Sequence, residues 1–166
     1  TESFLNYMKL YKIKRMIDAG IDVLYLAEPE FWAFAGYSDT FKSEWEKYYG
    51  FAWRPQHLSA ENLYLSNKLK HHLFYNAIDE CNAFAKKYGK SRGLDVKCFV
   101  TTHSLLNYAQ WQIVSPEASL GALANVDGYV GQVWAGTSRL PNYYNGELKE
   151  RIFETAYLEY GQLESM

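Results

Sequence analysis

The chain of 166 residues has little of what marks several protein classes: two cysteines, four prolines, a net charge of −2 and no long apolar run. Cys81 falls in a helical pattern and Cys98 in a strand pattern, and their spacing fits no metal motif, so both are expected as buried free thiols. The near balance of charge gives no electrostatic case for nucleic acid or an anionic membrane surface as partner. No apolar stretch approaches the roughly 20 residues of a membrane span, so no membrane partner is expected. The first residues, TESFLNYMKLYKIKR, are amphipathic rather than basic and then apolar. No secretory leader is read there, and cytoplasmic placement is the expectation. No tandem repeat, low-complexity tract or linker stands out, and the length permits one domain with a sizeable core. No cofactor is expected.

What the chain has in abundance is aromatic surface. Aromatic residues make up 17%, with 15 Tyr and 5 Trp. Their rings, apolar in body and polar at one edge, suit surfaces that are half wet.

The order of elements reads as α-β-α-α-β-α-β-α. Thr1 to Ala19 is a helix with Leu10, Ile13 and Ile17 on one face, widened by Leu5 and Met16, while Phe4 and Met8 fall outside the stripe. Gly20 ends it. A strand follows over about 21–27. A helix from about Phe41 to Tyr49 stops at Gly50, and Ser59 opens the longest helix, to about Tyr88, with Gly89 and Gly93 at its end. His71 and His72 are adjacent on that helix and so diverge by about 100°, which assigns them to surface or helix packing rather than to a shared metal. The basic cluster Lys86, Lys87, Lys90 and Arg92 reads as a solvated helix end. A second strand spans about 95–101. Ser115, Pro116 and Glu117 are a helix-start signature, and a third strand spans about 127–134. A last helix is expected from about Glu147 to Leu163. Each strand is followed by a connection long enough for a crossover, which favours a parallel sheet with right-handed connections. The expected class is therefore α/β, built of parallel β/α units. A (β/α)8 barrel needs about 250 residues, so residues 1–166 are expected as a single α/β domain or as a segment of a TIM barrel.

The stretch that carries chemistry is IDVLYLAEPEFW, Ile21 to Trp32. Pro29 cannot donate to a sheet ladder, so the strand stops near Ala27 and places Glu28 at its C-terminal edge, where α/β folds keep their active sites. A carboxyl group beside an aromatic wall is how a carboxylic acid gains a raised pKa and becomes a proton donor. The bland alternative is a loop carboxylate facing water. His103, just past the second strand, repeats the position of Glu28 and is a candidate hydrogen-bonder or base. Asn107 in the following loop, and Gln132 and Trp134 at the end of the third strand, complete the candidate substrate contacts with Trp32.

Ala27-Glu28-Pro29 resembles the Asn-Glu-Pro found at the end of the fourth strand in retaining glycoside hydrolases of the TIM-barrel clan that includes the β-galactosidases. AGYSDTFKSEWEKYYG, with its Lys47-Tyr48-Tyr49-Gly50 turn, is similar to the helix and turn that follow. Ala27 stands where the clan has Asn. The resemblance implies a TIM barrel acting on carbohydrate, with Glu28 as general acid/base; Glu30 is the alternative carboxylate. His103, Asn107 and Gln132 would bond sugar hydroxyls, and Trp32 and Trp134 would stack on sugar faces. The clan's nucleophile ends the seventh strand. If the first strand here matches the fourth, the chain stops near the sixth, without the partner carboxylate. Open sheet edges would then favour association between copies. Two other classes stand beside this one: a carbohydrate-binding barrel without catalysis, and a metal-dependent hydrolase using Glu28, His103 and Asp127.

Overall fold

The computed structural model describes residues 1–26, 31–102, 113–114, 123–131, 142–144 and 147–149, with Tyr157, Tyr160, Gly161, Glu164 and Ser165 helical. The chain opens on α1 (Glu2–Tyr7), runs through a π-helical stretch (Met8–Ile13) and continues as α2 (Lys14–Asp18). The Thr1 hydroxyl accepts the Phe4 N–H at the start, and Gly20, at φ 88°, turns the chain at the end. The π turn changes the expected face. Its i→i+5 pairing brings Met8 into line with Ile13, so Met8 packs against the core with Ile13 and Ile17 while Leu10 and Met16 are exposed.

Three parallel strands form the central sheet in the order β1 (Val23–Leu26), β3 (Lys97–Thr102), β5 (Gly128–Gly131). These are the three strands that the sequence predicts, each slightly shorter or shifted. Two short antiparallel pairs were not anticipated: β2 (Phe31–Trp32) with β4 (Ile113–Val114), and β6 (Asn142–Tyr144) with β7 (Glu147–Lys149). The second pair corrects the expected start of the last helix at Glu147. Asn145-Gly146, between its strands in sequence, is a strong hairpin signal that outweighs the helical pattern. The helix expected after Ser115 lies outside the described residues.

α3 (Asp39–Tyr49) begins at Ser38, whose hydroxyl accepts the Phe41 N–H, and ends at Gly50 in the left-handed region. A short 3-10 turn (Gln56–Leu58) leads to α4 (Ala60–Ser91), capped by Ser59. Gly89 lies inside α4 rather than beyond it, because it is a contact point. A Cβ there would sit 2.2 Å from a Val96 methyl carbon.

α4 carries two cores. Its C-terminal half covers one sheet face, with Cys81 and Ala85 packed with Ile13, Ile17, Leu24, Val96 and Cys98, and Ile78 packed on Val100 and Leu123. Both thiols are buried and free as expected, and burial pushes Cys98 up to about 11. The N-terminal half packs Leu69 against Phe41 and Trp45 of α3. A helix of this length spans about 48 Å, whereas β3 spans roughly 20 Å. Ile78 meets Val100 near the strand's C-terminal end, so the half of α4 before it projects beyond that edge of the sheet.

Candidate functional site

Strand register brings the predicted positions to one edge. Leu26 pairs with Val100, and Thr102 with Gly131. Glu28 follows Leu26 by two residues, His103 follows Thr102 directly, and Gln132 follows Gly131 directly. The three strands therefore end at one edge of the sheet, each one or two residues before a predicted position in the sequence. Glu28, Glu30, His103, Asn107, Gln132 and Trp134 themselves lie outside the described residues. The connections after β1 and β3 are joined to each other, since Phe31 pairs with Val114 and Trp32 with Ile113.

Trp32 is the one predicted contact whose side chain is described. It is 54% exposed, and its ring stacks on Phe34 at 6.3 Å and 9° between planes. Its neighbour Phe31 points the other way, buried against His71 (5.3 Å) and Phe74 (5.5 Å). The alternation of a two-residue strand thus anchors one ring and presents the next.

Beneath this strand lies a polar network that the sequence reading missed. Lys70 is 4% exposed and has no carboxylate partner among the described residues. Its ammonium donates to the Ala33 carbonyl (3.0 Å), Gln56 Oε1 (2.8 Å) and Asn67 Oδ1 (3.3 Å), and lies 5.6 Å from the Phe31 ring. Gln56 Nε2 donates to the same Ala33 carbonyl at 3.0 Å, and the Ser66 hydroxyl donates to Gln56 Oε1 at 2.7 Å. Burial pulls the Lys70 pKa down to about 8. Burial, and then the Lys70 charge, also pull His71 below the ordinary histidine value. Gly36, at φ +119°, lets the chain pass over this cluster; a Cβ would meet Ser66 Oγ at 3.1 Å. The signal was present in the sequence. Asn62, Ser66, Leu69, Lys70 and Leu73 recur at helical spacing, which assigns Lys70 to the covered face.

On the projecting half of α4, Tyr64, Asn67, Lys68, His72 and Tyr75 line a cleft of about 620 Å³ with Tyr48 of α3. His71 also lines it. The two histidines, expected as surface or helix-packing residues, pack against Phe31 and Tyr48 respectively, and both border this one surface because α3 folds back over that side of the helix. The Tyr48 and His72 rings are 4.6 Å apart.

Asp127 sits at the other end of the sheet. Its carboxylate accepts the Cys98 N–H (2.7 Å) and pairs with Lys86 (2.8 Å). Burial works to raise its pKa, but the N–H and the Lys86 ammonium outweigh it and hold the carboxyl below its ordinary value. Four residues along the strand separate its row, opposite Cys98, from Thr102, about 13 Å at strand rise. Asp127 therefore does not share an edge with Glu28 and His103, and the three-ligand metal reading loses this member. No group of three or more metal-ligating side chains occurs among the described residues.

Comparison with protein-family models, curated proteins and solved structures finds no match to this chain.

Proposed function

We propose that this chain is part of a (β/α)8-type barrel that acts on or binds carbohydrate at the C-terminal edge of its sheet. The observation that carries the reading is the shared edge: three parallel strands in sequential order end on one side, each shortly before Glu28, His103 or Gln132 in the sequence, and the Trp32–Phe34 ring pair is exposed on the connection that follows β1. Sequential parallel order is that of a β/α barrel. The second face of the sheet supports it further, since Val23, Tyr25 and Val130 are exposed there, where a barrel would enclose them.

In this reading Glu28 protonates the glycosidic oxygen as the bond breaks, or Glu30 does so if the register is shifted. A second carboxylate about 5 Å away attacks the anomeric carbon in a retaining enzyme. Trp32 stacks on a sugar face, as Trp134 would, and His103, Asn107 and Gln132 bond hydroxyls. Ala27, standing where the resembling clan has a sugar-bonding Asn, favours a second reading in which the same site binds without turnover. In the whole barrel, with its second carboxylate, Glu28→Gln tested on substrates with poor leaving groups should cost orders of magnitude in rate if Glu28 is the acid. Trp32→Ala should abolish binding of a galacto-oligosaccharide measured by calorimetry. Binding retained in Trp32→Ala, with kinetics unchanged in Glu28→Gln, would remove this edge from the function.

A further inference from the structure

The cleft on α4 is lined by hydrogen-bond donors. Asn67 accepts the Lys70 ammonium on Oδ1, so its NH2 group is the end left for a ligand. His72 Nε2 lies 2.9 Å from the Asn76 amide nitrogen, and its imidazole adds a second ring nitrogen to the lining. Tyr48 and Tyr64 are exposed and bring phenol groups, and Lys68 brings an ammonium with no ion-pair partner among the described residues. No carboxylate lines the cleft among the described residues. The residues from Tyr64 to Tyr75 extend about 16 Å along the helix, room for several ring-sized groups in line. Among the described lining residues the faces are aromatic, the polar ends include donors, and the one fixed charge, Lys68, is positive.

We infer that this cleft binds an acidic glycan, a chain of ring sugars bearing carboxylates such as a polyuronate, with Tyr64 and Tyr48 against the sugar rings and Lys68 on a carboxylate. A charge-assisted bond from an ammonium to a carboxylate is the strong kind, and the fixed Asn67 amide adds a donor beside it. The inference rests on the carbohydrate reading above and names its substrate class. The cleft lies on the half of α4 that projects past the strand ends, and His71, on its border, touches the Phe31 ring beneath Trp32.

The test is calorimetry of the full chain with a galacturonic acid trimer, its methyl ester, and a neutral galactose trimer. The acid should bind, with the ester about tenfold weaker because the charge-assisted contact is lost. Lys68→Gln should erase that difference, and Tyr64→Ala should weaken all three while circular dichroism shows the helix intact. Lys68→Arg should restore the preference for acid. Equal binding of acid and ester, or an acid preference that survives Lys68→Gln, overturns the acidic-glycan inference. If the neutral trimer binds and Trp32→Ala abolishes it while the acid shows no preference, the strand-end reading stands and this one falls. If no sugar binds, both fall.

Discussion

Lys70 is the residue on which the site's scaffold turns. A buried ammonium without a carboxylate is costly, and here three oxygen acceptors partly offset the cost. Its folded pKa of about 8 lies below the ordinary 10.5. Between those values the unfolded chain binds more protons than the folded one, so stability rises with pH through that window, and the penalty is fully present below it. The gain across the whole window should be about 3 kcal/mol, of which roughly half falls between pH 7.5 and 9.5. Lys70→Met should lack this rise. Ala33 keeps Gln56 Nε2 and Gln56 keeps Ser66, while the half-buried Asn67 is left to water. Urea unfolding of both proteins at pH 7.5 and 9.5 checks this; parallel changes in the two would show that Lys70 is not the titrating group. The helical spacing of Lys70 with Ser66 and Leu73 made its burial legible in the sequence. Its partners were not, since Gln56 and Ala33 come from irregular segments whose path no periodicity encodes.

Among the elements, the three parallel strands and the long helix follow from apolar runs, caps and glycines, and their bounds fell close to the expected ones. The π turn and the strands β2, β4, β6 and β7 did not. The π turn shows only as a mismatch in the helical stripe, Met8 inside and Leu10 outside. Strands of two or three residues carry no period to read, although Asn145-Gly146 did signal the β6–β7 hairpin. The tightest joint between elements is Gly89 against Val96, where α4 reaches the sheet. Gly89→Ala gains helix propensity but overpacks this contact, and a net loss of about 1–3 kcal/mol is expected. Gly→Ala at an exposed position in mid-helix would instead stabilise. Thermal unfolding of the Gly89→Ala variant reports the sign, and an unchanged or raised midpoint would mean that Val96 moves aside freely.

At the scale of the whole molecule, the helices cover one face of the sheet and leave Val23, Tyr25 and Val130 exposed on the other, Tyr25 at 64%. Exposed apolar side chains on a sheet face favour association. Concentration-dependent self-association is expected by sedimentation, reduced in Tyr25→Lys; a monomer at all concentrations would leave that face without the role assigned to it. No helix among the described residues is long and apolar enough to cross a membrane, as expected from the lack of apolar runs. The parallel strands that end at one edge were legible from the apolar runs before Glu28 and His103. The aromatic cleft beside it was not, because it needs α3 folded against α4. The central claim is that sugar binds at this edge. Chemical-shift mapping of the chain during titration with a galacto-oligosaccharide tests it most directly. Shifts should concentrate at the Trp32 indole and at Thr101, Thr102 and Gly131, and spare Asp95 and Asp127; shifts confined to the Asp95–Asp127 end, or none at saturating sugar, would contradict it.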